Sequence, residues 1–160
     1  MNWWVDARPK RVAAFGGNAV NRVIKGPNQI HDHVAVSWEY QNGVKGTLHL
    51  CLFAHDPPRE TLEMGVVGDK GVLQTNLEKL EILHWQRGKR DGEPRIHKVK
   101  AKRGIGWGGH LGFAEMHPAF VKSIRTGQKP LTSVANCVDG TLLAIAGEES
   151  IQTGKISIIR

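Results

Sequence analysis

Val34, Val36, Trp38 and Tyr40 alternate with Ala35, Ser37 and Glu39, and a second alternating run extends from Val44 to Phe53 after Gln41-Asn42-Gly43. Alternation of period two predicts strands with one buried face. Asn-Gly between two such runs is a strong hairpin signal, because both residues tolerate the positive φ of a type I′ turn. An opening strand is expected near Arg11 to Phe15, followed by a loop-like stretch from Gly16 to Ile30. His55-Asp56-Pro57-Pro58 breaks the alternation, since proline cannot donate to a ladder, and Thr61 to Val67 resumes it. Gly68-Asp69-Lys70-Gly71 then turns the chain into Val72 to Leu77. Two further runs, Lys79 to Gln86 and Pro94 to Lys100, are joined by the polar Arg87 to Gly92. The middle of the chain therefore reads as an antiparallel meander.

From His110 the period changes. Phe113, Met116, Phe120 and Ile124 fall at helical spacing and end at Thr126-Gly127, where glycine suits the left-handed residue after a helix. Pro118 lies within this run, so the helix is expected to start or kink there. A second helix opens near Thr132 or Ser133 as N-cap and carries Val134, Val138, Leu142, Ile145 and Ala146 on one side before Gly154. A last strand, Lys155 to Ile159, follows. Many antiparallel strands, two helices and a final strand predict an α+β fold, a largely antiparallel open sheet with two C-terminal helices packed on one face.

At the N-terminus, Met1 to Val5 reads as the end of a helix, stopped by the extended preference of Arg8 before Pro9. So short a helix hardly nucleates alone, and Trp3, Trp4 and Val5 need apolar partners. The chain is thus expected to lack a segment upstream.

The 160 residues, 40% apolar, suit a single domain spanning 1–160. The longest apolar stretches, Leu48 to Ala54 and Leu142 to Ala146, are far shorter than the roughly 20 residues of a membrane span, so no membrane partner is expected. The N-terminus has no secretory signal pattern, and a cytoplasmic location is the default. Cys51 and Cys137 do not form a disulfide framework and read as buried thiols. The net charge of +7 raises the question of nucleic acid. Its basic clusters, Arg87 to Arg90 and Lys98 to Arg103, carry no interleaved aromatic residues, so they read as solvated hairpin and no nucleic-acid partner is expected.

Strings in order along nearly the whole chain carry a family resemblance: Trp3 followed by Pro9-Lys-Arg-Val-Ala-Ala-Phe-Gly-Gly17, Tyr40-Gln-Asn-Gly-Val44, Gly68-Asp-Lys-Gly71, Ala119-Phe-Val-Lys-Ser-Ile-Arg-Thr-Gly127 with Lys129-Pro130, and Asp139-Gly-Thr-Leu-Leu-Ala-Ile-Ala-Gly-Glu-Glu-Ser150 with Thr153-Gly154. The chain resembles the C-terminal domain of the Gfo/Idh/MocA oxidoreductases, the family of glucose-fructose oxidoreductase and inositol dehydrogenase. The resemblance implies an N-terminal dinucleotide-binding domain, absent from these residues, and a second domain that holds a sugar or polyol beside the nicotinamide. It also implies that the catalytic lysine of a Glu-Lys-Pro motif and a His-x-x-Asp pair lie upstream of Met1. No catalytic residue is therefore assigned here, and NAD or NADP is expected for the full-length family but not bound by this chain alone.

Gly104-Ile-Gly-Trp-Gly-Gly109 satisfies G-x-G-x-x-G literally. It follows Lys98-Val-Lys-Ala-Lys-Arg103 rather than an apolar parallel strand, and about 20 residues on lies Arg125 to Lys129 with no acidic residue for a ribose, so it reads as a loop. Trp107 and His110 in this loop combine an aromatic face with a polar ring, which suits stacking on a sugar and bonding its hydroxyls. Core packing and helix capping are the plainer roles. His55, Asp56 and Arg59 sit where the resemblance implies a substrate-facing strand end; relatives often have an aromatic residue nearby. His31-Asp32-His33 raises the prospect of metal with His49 or His84, but no spacing completes the ligand set, and Asp32 reads as a turn residue at the strand entry.

The leading expectation is the substrate-binding and oligomerising part of an NAD(P)-dependent sugar or polyol oxidoreductase, not competent for hydride transfer alone. The alternative is a stand-alone carbohydrate-binding or dimerisation module. A homodimer through the open sheet face is expected in either case.

Overall fold

The computed structural model describes residues 2–20, 30–53, 63–76, 79–89, 92–100, 113–130 and 133–160. In chain order the elements are α1 (Asn2–Val5), β1 (Pro9–Gly17), β2 (His33–Tyr40), β3 (Lys45–Cys51), β4 (Gly65–Gly68), β5 (Gly71–Asn76), β6 (Glu81–Gln86), β7 (Arg95–Lys98), α2 (Phe113–Thr126), α3 (Val134–Thr153) and β8 (Ser157–Ile158). They form two compact units, Met1–His55 with Lys129–Arg160, and Asp56–Gln128.

The first unit holds a sheet in the order β3-β2-β1-β8, antiparallel throughout. The ladder pairs Val12 with Trp38 and Ala14 with Val36, so these residues share one face, against which α3 lies. Its core is Val12, Trp38, Tyr40 and Ala146, with Val5, Val36, Leu143 and Ile159 packed around it. The rings of Trp38 and Tyr40 meet edge to face at 6.4 Å, a favoured aromatic geometry. Trp38 faces Gly46 across the β2–β3 ladder, where an added Cβ would stand 2.3 Å from the indole. Only a residue without a side chain lets the indole lie across β3.

The hairpin between Tyr40 and Val44 is where the alternation placed it, but its turn differs. The Gly43 N–H bonds the Tyr40 carbonyl and the Tyr40 N–H bonds that of Val44. Gly43 alone takes positive φ, at 83°, whereas a type I′ turn would also require it of Asn42. Asn42 instead turns its side chain to local work: its Oδ1 accepts from the Val44 N–H and its amide donates to the Val5 carbonyl.

β8 pairs with β1 only at Arg11 and Val12, so beyond that point β1 runs without a strand on that side. Ser150 of α3 continues the edge: its Oγ accepts from the Ala14 N–H at 3.0 Å and donates to the Lys155 carbonyl at 2.7 Å. The helix face that packs on the sheet therefore runs through Leu143, Ala146, Gly147 and Ser150, spaced three and four apart. Of the side read from sequence only Ala146 is fully buried; Val134, Val138 and Ile145 are exposed. Ser133 is the N-cap, extended at φ −79° and ψ 159°, but its hydroxyl makes no cap hydrogen bond. Gly154, at φ 68°, closes the helix as expected.

On the opposite face, Arg11, Glu39 and Lys45 lie side by side across three strands. Arg11 Nε donates to Glu39 at 2.5 Å, and this bond, with the positive charge of Arg11, Lys45 and Lys10, holds the Glu39 carboxyl below the usual carboxylate range.

In the second unit, β4, β5, β6 and β7 form an antiparallel meander in sequence order. Gly71 opens β5 at φ 149°, with the Trp85 carbonyl 2.0 Å from where a Cβ would stand. α2 runs through Pro118 rather than starting at it, and ends before Gly127 at φ 67°.

The α+β, antiparallel reading holds, with the strands divided between two four-stranded sheets. The cysteines do not follow expectation: Cys51 and Cys137 are both exposed and free, because Cys51 ends the edge strand β3 and Cys137 lies off the packed face of α3. Among the described residues no helix is long and apolar enough to cross a membrane.

Removing the Ser150 hydroxyl leaves the Ala14 N–H and the Lys155 carbonyl without it in a buried place. Ser150→Ala is expected to lower the unfolding free energy by about 1–3 kcal/mol in urea titration. An unchanged midpoint would contradict the bridging role.

Candidate functional site

At the end of the first unit's sheet formed by Gly17, His33 and Cys51, a carboxylate and an imidazole are held together. The carboxylate is that of Asp32, only 1% exposed. A buried carboxylate is costly unless each oxygen is satisfied, and here the chain supplies the donors. Ala19 and Val20 give their backbone N–H groups to Oδ1 and Oδ2 at 3.0 and 2.8 Å. His33 Nδ1 lies 2.8 Å from Oδ1. The Asp32 backbone is held too, its N–H by the Gly17 carbonyl and its carbonyl by the Leu52 N–H. Asp32 thus ties the exits of β1 and β3 to the entry of β2, the turn role read from the sequence.

His33 is oriented from three sides. Asp32 takes Nδ1, Phe53 meets the ring edge to face at 6.0 Å, and Gly17 lies beneath, where a Cβ would stand 3.2 Å from Cε1 and 3.4 Å from Nε2. With Nδ1–H donated to the carboxylate, Nε2 is an acceptor on a side chain 45% exposed. An imidazole fixed in this way can accept a hydroxyl proton or a hydrogen bond. His31 turns to α3, its Nε2 3.3 Å from Glu148. The two imidazoles therefore go to separate carboxylates. Among the described residues no three His, Cys, Asp or Glu side chains are grouped to hold a metal ion.

Asp32 as an organising carboxylate and His33 as its partner are not evident from the sequence. The signal was present in the adjacent Asp-His pair at a strand entry, but the two backbone donors from Ala19 and Val20 are a matter of loop path. His55, Asp56, Arg59, Trp107 and His110, the expected ligand contacts, lie outside the described residues, as do Gly104 to Gly109. Phe53, which packs on His33, precedes His55 by two residues.

Residues 1–74 match the family of the GFO/IDH/MocA C-terminal domain, as the strings in the sequence indicated. No curated protein matches the chain. Several solved structures share its fold. An oxidoreductase domain protein from Kribbella flavida is 19% identical with a TM-score of 0.75, covering 99% of this chain and 46% of its own. A levoglucosan dehydrogenase, in complex with NADH and L-sorbose, is 20% identical at a TM-score of 0.73, covering 96% of this chain and 45% of its own. An oxidoreductase from Agrobacterium radiobacter, in complex with NAD+, L-tartaric acid and magnesium, is 16% identical at 0.75, covering 95% and 44%. The chain thus spans less than half the length of the proteins whose fold it shares.

Asp32→Ala is expected to lower the unfolding free energy by about 2–4 kcal/mol, since it orphans two backbone donors. Asp32→Asn, which keeps one acceptor oxygen, should cost less. Equal midpoints for the two variants in chemical denaturation would contradict this account.

Proposed function

We propose that this chain is the substrate-binding and oligomerising part of an NAD(P)-dependent oxidoreductase acting on a sugar or polyol, silent in hydride transfer by itself. The observation that carries the reading is the coverage: nearly all of this chain superposes on under half of oxidoreductases such as the levoglucosan dehydrogenase, and residues 1–74 match the GFO/IDH/MocA C-terminal domain.

The residues described here do not suit a dinucleotide. Such a site needs a parallel strand, a glycine turn and a helix N-terminus on the pyrophosphate, and every ladder in both described sheets is antiparallel. The nicotinamide cofactor, which supplies the hydride chemistry, is assigned to the remainder of the longer protein. This chain's part is position: His33 Nε2, set by Asp32, accepts from a substrate hydroxyl, and the sequence adds His55, Asp56, Arg59, Trp107 and His110 as further candidate sugar contacts.

Self-association is assigned to the sheet face turned away from α3. There Phe15 is 78% exposed, with Ala13, Ala35 and Ile158 on the same face, and exposed apolar surface of this kind marks an interaction site.

Saturation-transfer NMR on the 160-residue chain with a panel of hexoses and cyclitols should show binding. His33→Ala, His55→Ala and Trp107→Ala should each weaken it about tenfold or more, while NADH fluorescence stays unchanged. Saturable NADH binding, or no response to any polyol, would overturn the reading. Sedimentation at tens of micromolar, a range chosen for a standard-size interface, should show a dimer that Phe15→Asp turns into a monomer.

A further inference from the structure

The β6–β7 hairpin of the second unit frames an open pocket of about 270 Å³ lined by His84, Gln86, Lys89, Glu93, Pro94 and Arg95. The strand register explains why these residues converge. His84 pairs with Arg95, so both project from one face, and Gln86, two residues along β6, shares that face. His97 lies on it as well and stacks on the His84 ring, centroids 5.9 Å apart. Lys89 reaches in from the turn. The Trp85 indole N–H bonds the Gly92 carbonyl at 3.2 Å and ties the two sides of the turn together.

Four nitrogen-bearing side chains thus meet one carboxylate. Among the described residues, neither Arg95 nor Lys89 has an ion pair, although Glu93 lines the same cavity. Two cations with no ion pair among the described residues, beside an imidazole and an amide, offer several donors to an anion, on a chain whose net charge is +7. Arginine recognises oxyanions through a planar fork of donors and lysine as a point charge. The cavity lies just below the usual range for small-ligand sites, roughly 300–1,000 Å³, which suits a ligand of monosaccharide size.

We propose that this cavity binds a small phosphomonoester, with the phosphate on Arg95, Lys89 and His84 and a hydroxyl of the ligand's body on Glu93 and Gln86. Phosphate is favoured over a carboxylate because Arg95, Lys89 and His84 line the pocket from three chain positions, which suits a group with three peripheral oxygens better than one with two. Glu93 repels a bare anion but accepts from a hydroxyl, so it selects for a ligand that carries both. The assignment uses no residue of the site proposed above and stands apart from that reading.

Histidine ring signals of His84 and His97, followed by NMR in the full chain at low ionic strength, test it with inorganic phosphate, glucose 6-phosphate and glucose. Both phosphates should shift the two rings saturably and glucose should not. Arg95→Gln on the edge strand and Lys89→Gln in the turn should each weaken binding about tenfold, the scale of a lost charge-assisted bond, with the far-ultraviolet spectrum unchanged. Glu93→Gln should tighten inorganic phosphate and remove the preference for glucose 6-phosphate. Failure of either phosphate to saturate at tens of millimolar, well above the roughly 1 mM of a weak specific site, would overturn the proposal. So would wild-type binding by folded Arg95→Gln, or tighter binding of a DNA duplex than of glucose 6-phosphate.

Discussion

The first unit depends on one helix meeting two demands of one strand. β1 must bury the apolar side of Val12 and Ala14 and must also find acceptors for its own amides once β8 has ended. α3 meets the first demand with Leu143 and Ala146 and the second with the Ser150 hydroxyl, which stands where the next strand's carbonyl would be. A buried backbone group left unpaired costs about as much as a lost hydrogen bond. The helix is therefore held at a particular height along β1, and the core around Trp38 and Tyr40 follows from that placement.

The same economy governs the sheet end where His33 sits. Asp32 is buried because the loop before it brings two amides to its oxygens, and its carboxylate then dictates which nitrogen of His33 faces out. Stability and chemistry are coupled at this point. The carboxylate that takes the Ala19 and Val20 amides also sets the imidazole's tautomer, so those two backbone bonds and the histidine's acceptor are parts of one arrangement.

What could be read from the chain was what is local. Alternation and an Asn-Gly pair located β2 and β3, and Gly127 and Gly154 ended the helices where glycine should. The turn type escaped because it depends on Asn42 giving its side chain to Val44 and Val5. The packed face of α3 differs from the expected one because that helix is apolar on several sides, and the buried stripe includes a glycine and a serine that hydrophobicity alone does not select. Thiols are usually buried, yet strand position and helix phase leave both cysteines in solvent. Of the candidate site, Asp32 was legible as a turn residue, while its pairing with His33 required the fold.

Gly46 has a consequence beyond accommodating an indole. It is the one place on β3 where the Trp38 ring can cross, so sliding β3 by two positions would set Val44 or Leu48 beneath the ring, and sliding by one would turn its apolar residues to the wrong side. An outer strand is ordinarily the easiest to misalign. Here a missing side chain on one strand faces the largest side chain on its neighbour, and the pair favours this alignment over its shifted alternatives.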